Sequence, residues 1–227
     1  MPNRRKDGIY MLAGHTVEDA GSQRVRPQDA DLSELHSFLL EIDRLKQVNR
    51  QNPIATGPRA ETTAEHSWHL SVAVLIFARF ASETLDVNAA VTLAAVHDIP
   101  EVFVGDTFVY SPQINSRHKN EVTAMRQMVA NHRNSVEVKD IFDKWKEYEE
   151  LLSPEGRFVM ALDVLLPVFL NYSNLEFSSW RAHHVRADQV QRRIDGVREY
   201  CPELADFASQ VVCDAARLGV LRPQKSG

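Results

Sequence analysis

The chain has 227 residues, of which 44% are hydrophobic and 25% charged, with a formal net charge of −5; this is enough apolar sequence for one sizeable core, so a single domain is expected. The acidic balance offers no basic face for a nucleic-acid duplex, which excludes that partner, although a few arginines leave room for a small anionic ligand. Cys201 and Cys213 are the only cysteines, which excludes a disulfide framework and a CxxC metal site, and no apolar run approaches the roughly 18 residues of a membrane span.

The start, MPNRRKDGIYMLAGH, lacks an apolar core of signal-peptide length, so a cytoplasmic protein with no membrane partner is expected. Residues 1–30 are polar and aperiodic and read as a flexible tail, 31–218 as the single domain, and 219–227 as a C-terminal tail. From Asp31, the segment DLSELHSFLLEIDRLKQV places Leu32, Leu35, Leu39, Ile42 and Leu45 on one helical face. The following NRQNPIATGPR reads as a loop from its Asn, Pro and Gly content.

Thr62 and Glu65 have capping-box spacing, which starts a helix just before AEHSWHLSVAVLIFARF. His66 then sits in the first turn, with Leu70, Ala73 and Phe77 at i+4, i+7 and i+11, so its side chain leaves from the buried stripe. A third helix, from about Asn88 to His97, ends in His97 and Asp98, and Pro100 forces a break before the turn at Gly105 and Asp106. Residues 119–150 read as one or two charge-laced helices with an interruption at NHRNSVEVKD, and DKWKEYEE as a solvated face with intrahelical pairs. Ser153 and Pro154 form an N-cap and first-turn pair that opens GRFVMALDVLLPVFLNY. Within it Asp163 is flanked by Val159, Met160, Leu166 and Leu170, so it too points into apolar surroundings. Two more helices, near 188–200 and 202–218, complete an all-α chain with no internal repeat and no strand alternation.

Three helices thus each present a ligand-type side chain on or at the end of an apolar face: His66, the His97–Asp98 pair, and Asp163. One buried histidine is ordinarily a hydrogen-bonded core residue, and one buried aspartate a cap or ion-pair partner. Three such sites together point elsewhere. An unpaired buried carboxylate costs several kcal/mol, and no Lys or Arg stands at i±3 or i±4 of Asp163. A single divalent cation satisfies all four residues. Two imidazoles and two carboxylates suit Mn, Fe, Co, Ni or Zn, with Mg also admitted, and four protein ligands leave room for water and an incoming oxygen.

In its motifs the chain resembles the HD-domain metal-dependent phosphohydrolases, nearest the 5'-deoxynucleotidase branch. The resemblance runs over about residues 35–170 through LKQVNR, ETTAEHSWH, HDIPEVFVGDT, the EYEE segment and FVMALD. LPVFLNY followed by Trp180 and His183 or His184 is similar to members known only as HD-domain hydrolases. The resemblance implies an all-α HD-domain helical bundle that hydrolyses a nucleoside monophosphate or related small phosphomonoester and is a homodimer. It implies that His66, His97, Asp98 and Asp163 hold the metal, that Glu101 and Asp106 act near the attacking water and substrate, and that Arg50 binds phosphate. Gln51 stands where the deoxynucleotidase branch has a tryptophan against the sugar, which implies weak discrimination between ribose and deoxyribose.

Residue chemistry agrees with several of these roles. Glu101 lies one turn beyond His97 and Asp98, within reach of a water at the ion, and a planar guanidinium at Arg50 can hold two phosphate oxygens. Arg59 is a second phosphate candidate, and His69, at i+3 from His66, is a candidate outer-shell partner or extra ligand. Trp68, Trp145 and Trp180 read as core or rim. Two other readings stay open: a dinuclear oxygenase on the same scaffold with extra ligands from His69, His183 or His184, and a non-catalytic nucleotide-binding protein, against which Glu101 and Asp106 argue.

Overall fold

The computed structural model describes residues 30–112 and 114–223. In chain order the described elements are α1 (Ala30–Ile42), β1 (Asn49–Pro53), β2 (Ala60–Thr62), α2 (Thr63–Phe77), α3 (Val87–Val96), α4 (Glu101–Val104), α5 (Ile114–Asn131), α6 (Val136–Glu149), α7 (Pro154–Ser173), α8 (Ser179–Ala182), α9 (Ala187–Asp195) and α10 (Pro202–Arg217). Among the described residues the all-α expectation holds apart from one short hairpin. The tail expected over 1–30 lies outside the described residues but for Ala30, which opens α1.

Helix α1 forms where the leucine stripe predicts it, and the stripe is buried in part: Leu45 is buried, Leu35 and Ile42 are half-buried with Ile42 packed on the Phe38 cluster, while Leu32 and Leu39 are 55% and 62% exposed. The anchor is aromatic and polar. Phe38 meets His132 edge to face with centroids 5.4 Å apart, and His132 Nε2 donates to Glu41 at 3.0 Å. After Ile42 the chain tightens into a 3-10 turn, Asp43–Gln47, which carries Leu45 into the core off the α-helical period.

The expected loop NRQNPIATGPR is a β-hairpin, with Asn49 opposite Thr62, Pro53 opposite Ala60, and an irregular register between them. Its residues have no strand alternation, so the cause is tertiary. Asn174, which ends α7, donates to the Ile54 and Gly57 carbonyls at 2.9 and 2.8 Å, and Gly57 supplies a φ of 98° at the bend.

Helix α7 is the spine. It buries Phe158, Val159, Leu162, Leu165 and Leu166 against α2, α3, α9 and α10, and a second apolar cluster joins α1 to α5 and α6. By composition the 18-residue stretch Val87–Val104 has a mean hydropathy of 1.3, high enough for a membrane span and contrary to the expectation that no run approaches that length. Here it is not one helix. α3 stops at Val96, the chain turns through His97–Pro100, and Ala90, Leu93 and Ala94 are packed in the core. At the other end packing continues past Leu218. Gly219, with φ 72°, turns the chain so that Val220 and Leu221 are buried, and the Arg222 N–H donates to the Val185 carbonyl at 2.8 Å. The packed domain therefore ends beyond the predicted boundary.

Candidate metal and phosphate site

Local sequence signals set each polar side chain in place. The capping box is complete: the Thr62 hydroxyl accepts from the Glu65 N–H at 3.2 Å, and the Glu65 carboxylate accepts from the Thr62 N–H at 2.9 Å. His66 is consequently fully buried above Leu70 and Ala73. His97 and Asp98 occupy the turn where α3 gives out, and α4 restarts at Glu101 until Gly105 ends it with φ 72°. Asp163 lies mid-α7, and Pro167, four residues on, has no N–H to give to the Asp163 carbonyl.

These elements bring the four predicted ligands together. His66 Nε2 lies 2.9 Å from Asp163 Oδ1, His97 Nε2 lies 3.0 Å from Asp98 Oδ2, and the cross distances, His66 to Asp98 and His97 to Asp163, are both 3.9 Å. One ligand atom each from His66, His97 and Asp98 falls within a 4.8 Å set. Arg50, on β1, enters the same cluster: Nη1 donates to Asp98 at 2.9 Å, Nη2 is 3.8 Å from Asp163, and Nε is 3.3 Å from Glu61. Asp163 has no cationic neighbour along its own helix, and Arg50 supplies one through space.

The imidazoles test whether a cation fits. His97 Nδ1 lies 2.9 Å from the Ala94 carbonyl, an acceptor only, so Nδ1 carries the proton. In the neutral ring Nε2 is then a bare lone pair aimed at two carboxylates, and it is a buried atom with no hydrogen-bond partner. His66 differs: its Nε2 is hydrogen-bonded to Asp163 Oδ1 at 2.9 Å, and Nδ1, 3.4 Å from Glu61, is the buried atom with no hydrogen-bond partner. A lone pair facing an anionic oxygen is repulsive unless the ring is protonated or a cation lies between. A mixed nitrogen and oxygen donor set with an outer carboxylate or carbonyl behind each histidine is what a borderline divalent metal takes. The residues fit such an ion.

Charge in the cluster is strongly coupled. Burial opposes ionisation of Asp98, but His97 and Arg50 outweigh it and hold the carboxyl below the ordinary range. Burial likewise opposes ionisation of Asp163, which hydrogen bonding to His66 and the charges of His97 and Arg50 hold well down. Glu101 goes the other way, pushed well up by burial and by the charge of Asp98. It accepts from the Thr63 hydroxyl at 2.7 Å. Asp106 is raised by burial and by Asp98, against Arg50 and a hydrogen bond from the Gln51 N–H.

A cleft with about 670 Å³ of empty space, its open mouth included, is lined by Arg50, Gln51, Asp98, Glu101, Asp106 and Asp163 together with residues from α5, α7 and α9. Every predicted site residue except Arg59 and the two histidines behind the carboxylates lines it. Arg59 is a correction. Its guanidinium forks onto the Glu65 carboxylate at 2.7 and 2.8 Å on the surface, reinforcing the cap of α2 instead of reaching the cleft. His69 is another, because it faces a separate apolar cavity, with about 950 Å³ of empty space, its open mouth likewise included, between α2, α7 and α10. His183 is bound to Gln51 at 3.0 Å and His184 is exposed, so none of the three histidines weighed as extra ligands joins the cluster.

Trp145 and Trp180 are buried, while Trp68 is 68% exposed. The solvated-face reading of DKWKEYEE is half correct. Lys139–Asp143, Lys144–Asp140 and Lys146–Glu150 pair at the surface, but Trp145 and Tyr148, three apart, turn inward. The Tyr148 hydroxyl donates to Asp163 at 3.2 Å, and its ring lies edge-on to His97 at 5.2 Å. Sequence reading also missed Glu61, which sits behind His66, and Arg117, which lines the cleft tethered to Glu121 at 2.7 Å and Glu149 at 3.5 Å. The available signals were weak: an R-x-x-x-E spacing for Arg117, and for Tyr148 an aromatic pair at helical spacing.

A family model described as HD domain matches residues 42–204. Among curated proteins the chain is similar to 5'-deoxynucleotidase HDDC2 of Bos taurus, 31% identical over 134 residues, covering 57% of this chain and 62% of that protein. The Homo sapiens protein of the same name is 30% identical over 134 residues with the same coverage, so the match spans less than two thirds of these relatives. Among solved structures, a predicted metal-dependent phosphohydrolase from Magnetospirillum magnetotacticum MS-1 is 28% identical with a TM-score of 0.78, covering 88% of this chain and 100% of that one. A protein from Pyrococcus horikoshii OT3, 21% identical with a TM-score of 0.55 over 81% of this chain and 99% of that one, shares the fold.

Proposed function

The chain belongs to the HD domain family, and on that premise we propose that it is a metal-dependent phosphomonoesterase acting on a nucleoside monophosphate or a related small phosphate ester. The observation that carries the reading is the pair of imidazole nitrogens aimed at the Asp98 and Asp163 carboxylates in the wall of a cleft that also holds Arg50, Glu101 and Asp106. The names of the curated relatives and of the Magnetospirillum structure support the same reaction class.

His66, His97, Asp98 and Asp163 would hold one divalent ion, which supplies Lewis-acid polarisation of a phosphoryl oxygen and acidifies a water. The chain's own residues do the rest. Arg50 turns its N–H groups to the phosphate oxygens, holding them in line and offsetting the charge that grows on them. Glu101 is buried at the cleft wall with Oε2 fixed by Thr63, which leaves Oε1 to accept a proton from the attacking water. Its raised pKa suits a group that takes up and passes on that proton. Asp106, bonded to the Gln51 backbone, fixes the loop over the substrate's sugar side. At position 51 a polar pair, Gln51 with His183, stands where a packed indole would exclude a hydroxyl, which supports weak ribo/deoxy discrimination.

The dinuclear oxygenase reading loses its extra ligands with His69, His183 and His184 away from the cluster. We extend the proposal to a homodimer, supported by the exposed apolar side chains Leu75, Ile76 and Phe207 on α2 and α10 and checked by light scattering. The deciding experiment is phosphate release from nucleoside monophosphates and small phosphate esters with Mn²⁺, Co²⁺ or Mg²⁺. Hydrolysis that stops with chelator is expected, and no release from any ester with any ion would reject the reading.

A further inference from the structure

The cleft runs well beyond the cluster. Asp163, Pro167 and Asn171, at i, i+4 and i+8 on α7, all line it, and at ~1.5 Å rise per residue Asn171 lies about 12 Å along the helix from Asp163. That is about as far as a nucleoside monophosphate reaches from phosphate to base edge, whereas a bare phosphate or a short ester leaves this part empty. A chain of hydrogen bonds fixes the groups found there. The Pro167 carbonyl can only accept, so the Asn171 atom 2.9 Å from it is Nδ2, and Asn171 Oδ1 accepts from Ser178 and Ser179 at 2.8 and 2.9 Å. The same Nδ2 lies 2.9 Å from the Asn52 side chain, which must therefore present its oxygen. The one Ser179 hydroxyl proton goes to Asn171 at 2.9 Å, with Asn52 Oδ1, 3.3 Å away, as the weaker arm of a shared bond. With Oδ1 so engaged, the Asn52 amide N–H groups are left for the cleft that Asn52 lines.

Two more donors line the same cleft. Arg193 on α9 lines the cleft and, among the described residues, has no ion-pair or hydrogen-bond partner, in contrast to Arg50 and Arg117. A guanidinium at the wall of an open cleft with no protein partner keeps its fork of N–H donors for water or a ligand. The Tyr110 hydroxyl, near enough to feel the Arg193 charge, is pushed up to about 12 by burial and stays a donor at neutral pH. Phe108 meets the Tyr110 ring edge-on at 5.3 Å and the His183 ring at 4.3 Å, which makes an aromatic wall. The lining here is aromatic and carries donors, and the amide oxygens of Asn52 and Asn171 are already engaged.

We propose that Asn52, Tyr110 and Arg193 form a base-reading subsite that takes the carbonyl edge of a keto base, guanine or uracil, in preference to the amino edge of adenine or cytosine. A guanidinium pairs bidentately with O6 and N7 of guanine, and an amide donor takes a second carbonyl. A further anionic group on the substrate offers similar acceptor chemistry, so the test separates the two. The inference rests on the phosphomonoesterase reading for its orientation of the ligand.

The test compares kcat/KM for GMP, UMP, AMP, CMP, adenosine 3',5'-bisphosphate and phenyl phosphate in wild type, Arg193→Ala, Arg193→Lys and Asn52→Ala, each first checked for an unchanged Tm. Wild type is expected to prefer GMP and UMP over AMP and CMP by about tenfold or more. Arg193→Ala should bring that ratio to about one through a ten- to hundredfold loss on the keto substrates, and Arg193→Lys, which keeps the charge but loses the fork, should not restore it. An equal loss on phenyl phosphate, no loss on any substrate, or a bisphosphate preference in place of the keto preference would each overturn the subsite. Calorimetric binding of guanosine, uridine, adenosine and cytidine needs no turnover. If no ester is hydrolysed the enzymatic reading fails, while the guanosine-to-adenosine affinity ratio still decides the subsite.

Discussion

Replacing Asp163 with alanine separates the metal reading from a purely structural one. The side chain accepts from His66 at 2.9 Å and from Tyr148 at 3.2 Å and lies 3.8 Å from Arg50. Hydrogen bonds to a charged group contribute about 1.5–3 kcal/mol each, so two of them give about 3–6 kcal/mol. Against this, the substitution removes one negative charge from a cluster that also contains Glu61, Asp98, Glu101 and Asp106, which relieves repulsion. With chelator present, the loss should therefore fall near the low end, about 3 kcal/mol. With metal present a second quantity enters. An ion at a thousandfold excess over its Kd adds about 4.1 kcal/mol to the native state, and for a chain of this size each kcal/mol moves Tm by about 2–4 °C. Wild type should gain about 8–16 °C between chelator and saturating Mn²⁺, and Asp163→Ala should lose most of that gain. The assay is thermal unfolding in both conditions, with metal content of the purified proteins measured in parallel. A variant that keeps the same metal-dependent rise and the same metal content would refute the assignment of Asp163.

Glu101→Gln should retain the ion and lower kcat by about 10²–10⁴ with KM changed only a few-fold, because the interaction it removes is made in the transition state; a normal kcat with a raised KM would place Glu101 in binding instead. The ratio of kcat/KM for dAMP over AMP should be near one in wild type and rise in Gln51→Trp, by the about 1–3 kcal/mol that steric rejection of one group provides, whereas a several-hundredfold deoxy preference in wild type contradicts the argument from position 51. Arg59, and then the Thr62 N–H, hold the Glu65 carboxyl down at about 2. A depressed acid contributes stability that is complete above its unfolded pKa and is lost as pH falls through the folded value, so the cap of α2 should weaken between about pH 4.5 and 2. Glu65→Gln should flatten the acid limb of the unfolding curve in that window, and Arg59→Ala should do the same with KM unchanged; a raised KM in Arg59→Ala would return Arg59 to the substrate.

What the sequence exposes about this fold is whatever is decided within one turn of chain. The Thr62–Glu65 box, the Ser153–Pro154 start and the Pro100–Gly105 break are local contracts between side chain and backbone, and each stands where its residues place it. The hairpin at Asn49–Thr62 is not local, since its bend is held by Asn174, over a hundred residues away. The α1 stripe was legible only in part, for a related reason. Periodicity says which residues share a side, but how far round the helix burial extends depends on what is packed there, and the contact with His132 centres the buried face on Phe38, leaving Leu32 and Leu39 outside.

The His66, His97, Asp98 and Asp163 cluster was legible because a polar residue on an apolar stripe is a cost that needs a cause, and four of them meet in one place. Arg59 was misread because a loop arginine before a helix reads the same whether it faces phosphate or a capping glutamate, and only the distance to Glu65 tells them apart. Tyr148 and Glu61 were illegible because each acts through a ligand, and no chain pattern marks a residue whose partner comes from another helix. Their positions also bear on why the site needs a cation. Glu61, Asp98, Glu101, Asp106 and Asp163 gather around Arg50, while Arg117 is already committed to Glu121 and Glu149. Five carboxylates against the one guanidinium of Arg50 leave the cluster short of positive charge, in keeping with the raised pKa values of Glu101 and Asp106. Protonating both would relieve the imbalance but disarm Glu101 as a base. A divalent ion on the two imidazoles would relieve it with Glu101 left ionised, so the proposed metal binding and the proposed role of Glu101 as base are one electrostatic problem.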